Sequence, residues 1–189
     1  MKKMILGTFV FAIAVIAGST EVSAQMMKDE NPMVGGAAMY KTKNIVANAV
    51  NSKDHTTLVA AVKAAGLVET LQSAGPFTVF APTNAAFDKL PAGTVETLLK
   101  PENKDTLTKV LTYHVVAGNN DSKTIMKAIK KGGGKAEFKT VAGGTLTAMM
   151  QGNSLVLMDE KGGRSTVTIA DVGQSNGVIH VVDTVVLPN

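Results

Sequence analysis

The segment from Asn176 to Pro188, NGVIHVVDTVVLP, constrains the fold more than any other stretch of the chain. Asn176-Gly177 is a turn dipeptide, and the β-branched run behind it is interrupted only by His180 and by Asp183-Thr184. Such a run predicts a strand buried for most of its length and ended by Pro188. A companion lies upstream in FTVFAPTNAAF, Phe77 to Phe87, where a short strand meets Pro82 and Thr83 and turns into a helix. Between the two stands Thr112-Tyr113-His114-Val115-Val116.

The first 24 residues are set apart by composition: Lys2 and Lys3, an apolar run from Ile5 to Ala17, then the small-residue pattern Val22-Ser23-Ala24. They read as a secretory signal peptide of bacterial type, cleaved after Ala24, and imply an exported product, periplasmic or secreted. No later apolar stretch is long enough to cross a bilayer. Cysteine is absent, which excludes disulfides, thiol catalysis and a lipid-modified cysteine anchor. The domain must therefore rest on its core, which a 45% hydrophobic content permits. The formal charge of +4, to which Lys2, Lys3 and Glu21 together contribute +1, is spread along the chain. The densest basic stretch, Lys127 to Lys135, carries no aromatic ring for bases to stack on. Nucleic-acid binding is not expected, and these lysines read as a solvated helix end and turn.

Residues 25–43 read as a flexible lead-in rich in Met, Gly, Asn and Lys. Met26, Met27, Met33 and Met39 are soft copper(I) ligands by type, but their irregular spacing fits a mobile tail better. One domain is expected from residue 44 to residue 189. Ile45, Val46, Ala49 and Val50 fall at helical spacing, and Asp54 is a candidate N-cap for a helix burying Leu58, Ala61, Val62 and Ala65 before Gly66. Thr83 can cap a short helix from Ala85 to Lys89. A longer helix follows Pro101, with Leu107, Val110 and Leu111 facing inward, and another runs from Asp121 to Lys131. From Lys135 the period changes to two, with Gly-rich turns at residues 143–144, 152–153 and 162–163. Helices first and strands last imply α+β, with non-local pairing between the early and the closing strand.

No catalytic set can be assembled, and the chain reads as a non-enzyme without metal or cofactor. His55, His114 and His180 have no metal-ligand spacing. His55 reads as exposed behind a helix cap, whereas His114 and His180, each among valines, read as half-buried and hydrogen-bonded. Residues 173–177, GQSNG, miss the serine-nucleophile elbow, and Gly132-Gly133-Gly134-Lys135 lacks the frame of a phosphate loop. Asp159-Glu160 reads as a solvated pair at a turn. Met149, Met150, Leu157 and Met158 could line a groove for a small apolar ligand, which makes a carrier the alternative to an interaction domain.

The three segments, in this order and spacing, resemble the fasciclin (FAS1) domain family over roughly Lys43 to Leu187. The resemblance implies a wedge-shaped, β-sandwich-like core of mostly C-terminal strands flanked by several short helices, with the two signature segments on adjacent strands. It implies that Thr83 and Asn84 satisfy backbone groups where strand becomes helix, and that His180 and Asp183 are internal hydrogen-bonding residues. It also implies adhesion, through a cell-surface protein or polysaccharide partner. Animal members tie a Tyr-His pair and an Asp-Ile pair to integrin binding; the matching positions here are Tyr113-His114 and Asp171-Val172, the latter departing from isoleucine. Tyr113 and His114 are open to two readings, contact residues or core. The bacterial-type leader makes an integrin an unsuitable partner. Oligomeric state is not indicated.

Overall fold

A computed structural model describes residues 31–189. The expected signal peptide of residues 1–24, Met26, Met27 and the start of the expected lead-in lie outside the described residues. The lead-in holds a small hairpin, β1 (Met33–Val34) and β2 (Ala37–Ala38), and Met39 behind it is 2% exposed. This corrects the expected flexible stretch over its described part: Val34 and Met39 belong to the main apolar cluster.

Helices α1 (Ile45–Ala49), α2 (Thr56–Ala65) and α3 (Val68–Gln72) come next. Asn44 caps α1 by accepting from the Ala47 amide at 2.8 Å. Asp54 is not the cap of α2. It lies in a 3₁₀ turn, Lys53–His55, that turns His55 inward. Gly66 closes α2 in the left-handed conformation, φ 73°.

Strand β3 (Phe77–Pro82) leads into α4 (Asn84–Asp88), α5 (Thr94–Leu98), α6 (Lys104–Tyr113), β4 (Val115–Ala117) and α7 (Ser122–Lys131). The strand-rich end follows as β5 (Lys135–Lys139), β6 (Thr145–Gln151), β7 (Ser154–Met158), β8 (Arg164–Gln174) and β9 (Gly177–Val182). The seven longer strands form one sheet in the order β4-β3-β9-β8-β7-β6-β5. Only β3 and β9 pair in parallel within it, Phe77 opposite Gly177 through Pro82 opposite Val182. The two signature segments are thus direct neighbours, joined across a hundred residues of sequence.

The sheet folds over on itself. A bridge between Val116 and Thr140 brings the end of β5 back to β4, and the Val141 amide donates to the Val115 carbonyl at 2.8 Å. Phe80 and Val182 from one half then meet Leu146, Ala148 and Leu157 from the other in a buried cluster, which Ile125 and Ile129 of α7 close. A larger cluster fills the opposite side of β3 and β9, where Val79, Ala81, Ile179 and Val181 pack against α1, α2, α4 and α6. The period of two along β3 and β9 sends alternate residues to different cores, which is why both strands read as continuously apolar. The architecture is α+β, with mostly C-terminal strands and short helices around them.

Candidate functional site

Tyr113 ends α6 and His114 follows it, and neither reaches solvent: Tyr113 is 0% and His114 3% exposed. The Tyr113 hydroxyl donates to the Thr145 carbonyl at 2.6 Å and accepts from the Glu160 amide at 3.3 Å. Burial, aided by the charges of Glu160 and Asp159, pushes the phenol up to about 12. Gly144 lies against the ring, where an added Cβ would sit 2.7 Å from Cε2. His114 bridges two backbone groups. Its Nε2 accepts from the Val186 amide at 3.2 Å, so Nδ1 carries the proton and donates to the Val110 carbonyl at 2.8 Å. Desolvation lowers its pKa to about 4 against the weaker pull of Val110 and Asp159. A neutral imidazole with both nitrogens engaged in the core is not available as a general base.

His180 on β9 is equally enclosed. Nδ1 accepts from the Asp171 amide at 3.3 Å, Nε2 donates to the Asn120 carbonyl at 2.9 Å, and the ring stacks on Phe80 with centroids 5.6 Å apart. Burial lowers its pKa against Asn120, Asp171 and Asp121. Asp183 turns the chain out of β9: its carboxylate accepts from the Thr166 amide at 2.8 Å and from the Thr184 hydroxyl at 3.0 Å. Burial opposes its charge, but these bonds and Lys89 hold its pKa below the usual carboxylate value. Asp171 is exposed, sits at an irregularity of β8 with a left-handed φ of 61°, and accepts from the Ser122 amide and hydroxyl at the start of α7. Its neighbour Val172 is fully buried. The four interaction candidates therefore do not share a surface; only Asp171 is open.

Thr83 and Asn84 cap two different helices. The Thr83 hydroxyl accepts from the Ala86 amide at 3.2 Å. Asn84 reaches back to α2, accepting from the Thr57 amide at 3.0 Å and donating to the Lys53 carbonyl at 2.8 Å. It serves as the cap that α2 lacks locally.

Three sequence expectations require correction. His55 is 3% exposed, its Nδ1 2.8 Å from the Ser52 hydroxyl, and burial lowers its pKa. Asp159 is not a solvated turn residue. Its carboxylate accepts from the amides of Lys161, Gly163 and Leu187, the last at 3.0 Å and 28 residues away. The methionine groove does not form, because pairing of β6 with β7 sends Met150 and Leu157 to one face and Met149 and Met158 to the other. Asn176, read only as a turn residue, is the junction of the fold. It accepts from the Ile45 amide at 3.0 Å and donates to the carbonyls of Leu71 at 2.8 Å and Ser73 at 3.0 Å. No local pattern could show this, since its partners lie more than 100 positions away.

Comparison with known proteins agrees with this architecture. The family model of the fasciclin domain matches residues 53–188. The chain belongs to the fasciclin domain family. Protein sll1483 of Synechocystis is 49% identical over 160 residues, covering 85% of this chain and 82% of that protein. Immunogenic protein MPB70 of Mycobacterium bovis is 39% identical over 145 residues, covering 74% of this chain and 66% of the relative. A solved FAS1 domain pair from the insect cell adhesion molecule fasciclin I superposes with a TM-score of 0.68 at 17% identity, over 77% of this chain and 51% of that one. That likeness establishes the shared fold.

The surface of this fasciclin domain carries a feature that the buried signature residues do not. Helix α7 buries Ile125 and Ile129 and turns Lys123, Lys127, Lys130 and Lys131 to solvent. These lysines fall at positions i, i+4, i+7 and i+8, one stripe about 12 Å long opposite the buried isoleucines. The helix itself contains no acidic residue. Asp121, its N-cap, is half-buried at the N-terminal end of the stripe, its pKa lowered by Thr124 and by Lys123 and Lys127. Among the described residues, no three His, Asp, Glu or Cys side chains converge as metal ligands, and no helix is long and apolar enough to cross a membrane.

Proposed function

We propose that this is a non-enzymatic fasciclin domain of residues 44–189, exported by the leader of residues 1–24. It acts in the periplasm or outside the cell as an adhesion module for an anionic surface polysaccharide. The observation that carries this reading is the contrast between two sets of residues. Tyr113, His114 and Val172 are sealed in the core, whereas the four α7 lysines form an exposed stripe of one sign. A repeating anionic polymer matches such a stripe, and the adhesion named for insect fasciclin I fits a domain that works by contact. Asp171 contributes by holding the first residue of α7 to β8.

Changing all four lysines to glutamine is expected to weaken capture of purified acidic envelope polysaccharide roughly tenfold or more at low salt, from several contacts of about 0.5 kcal/mol each. The melting temperature should hold, because these side chains are exposed. Rising ionic strength should weaken wild-type capture in the same way. Capture that ignores both the four substitutions and the salt would overturn the reading. Capture of a surface protein with no polysaccharide bound would replace the partner.

A further inference from the structure

Met39 and His55 line the same small cavity, about 10 Å³ in volume. Val34 of β1, Ala81 of β3 and Ile179 of β9 supply apolar walls around them. Both side chains are enclosed, Met39 at 2% and His55 at 3% exposure. Among the described residues, His55 Nε2 is the buried side-chain nitrogen or oxygen that no hydrogen bond satisfies. Such a group in a folded interior calls for an explanation. Burial keeps the ring neutral at pH 7 against the pull of the Ala81 carbonyl and of Asp54.

The cavity has room for one water molecule or one ion. Water is a poor occupant, because it needs two to four polar partners and finds one free nitrogen, with Ser52 already joined to Nδ1. What sets this cavity apart is a thioether beside a neutral imidazole. Thioether sulfur selects soft cations, and imidazole suits copper. We propose that the cavity binds a single soft monovalent cation, Cu(I), between His55 Nε2 and Met39 Sδ. Nδ1 then carries the ring proton and donates to Ser52 Oγ, 2.8 Å away, an outer bond that orients the ligating ring. Met39 closes on the ion through its three rotatable bonds. Entry is past the hairpin, whose strands are only two residues each. The site is independent of the α7 surface.

The test titrates the purified protein with Cu(I) under anaerobic reducing conditions against a chromogenic chelator, with Ag(I) as a redox-inert second probe. Wild type is expected to take up one equivalent of either ion. Ag(I) should shift the ring resonances of His55 and leave those of His114 and His180 in place. Met39→Leu conserves volume and should keep the fold. It should weaken uptake of both ions at least about tenfold, the cost of losing even an outer partner of a metal site. Met33→Leu, at an exposed position, should bind as wild type. If Met39→Leu does not fold, the His55 resonances of wild type decide. No uptake, full uptake by folded Met39→Leu, or a His55 signal that Ag(I) leaves in place would overturn the site. Uptake lost in Met33→Leu would make exposed methionines the ligands and overturn it as well.

Discussion

Acidification from pH 7 toward pH 4 is expected to remove about 3 kcal/mol of folding stability through His114 alone. In the folded domain its pKa is lowered from 6.5 to about 4, because the ring is buried between Val110 and Val186. The unfolded chain therefore takes up a proton near pH 6.5 that the folded chain refuses. The stability is fully present above pH 6.5 and is lost as the pH falls through the interval down to about 4. His55 and His180, also lowered by burial, act in the same direction. The lowered carboxyls of Asp121 and Asp183 lose their contribution below this window, since their ordinary value is 3.8. Urea unfolding at half-unit steps from pH 7.5 to 4.5 measures the slope. His114→Gln should be less stable at pH 7 and flatten the curve; a wild-type curve already flat across this range would show that the imidazole is not held neutral by the fold.

The second large effect is expected at Asn176. Removing its amide in Asn176→Ala leaves the Ile45 amide and the Leu71 and Ser73 carbonyls without their partner. At about 1–3 kcal/mol for a buried group left unsatisfied, with Ser73 partly reached by water, the cost is about 3–5 kcal/mol. For a domain of this size that lowers the melting temperature by roughly 10–15 °C. Asn176→Asp should also destabilise, because it keeps an acceptor for Ile45 but turns a carboxylate oxygen toward two carbonyls. Calorimetric melting of both variants checks this, and a shift under about 3 °C in Asn176→Ala would mean the junction is dispensable.

The backbone plan was legible because it is written in local terms. The turn at Asn176-Gly177 and the β-branched run place β9, the Gly66 stop ends α2, and the helix expected from Asp121 to Lys131 is α7, with Asp121 standing one place outside it as the cap. The closing run also shows where such reading ends. It continues apolar through Val185 and Val186, yet the strand stops at Val182, because Asp183 bonds back to Thr166 and diverts the chain. From there Val186 meets His114, and Leu187 meets Asp159. Polar side chains satisfied by distant backbone groups leave no trace in periodicity. That is why His55 and Asp159 read as solvated and Asn176 as a mere turn. The α7 lysines posed the opposite difficulty: their spacing is plain in the sequence, but only the burial of Ile125 and Ile129 shows that all four share the outward face. The pairing of Met39 with His55 had no signal at all, because the cavity that both line is closed by Ala81, Val172 and Ile179 from strands that lie apart along the chain.

The division of labour between core and surface is tested most directly by measuring capture of acidic polysaccharide and melting temperature together, for Tyr113→Phe and for the four-lysine variant side by side. Tyr113→Phe removes only the hydroxyl that joins Thr145 and Glu160. It should lose about 1–3 kcal/mol of stability and keep wild-type affinity. The lysine variant should keep its melting temperature and lose capture. Lost affinity in a fully stable Tyr113→Phe, with capture intact in the lysine variant, would return the binding role to the Tyr-His pair and contradict the surface assignment.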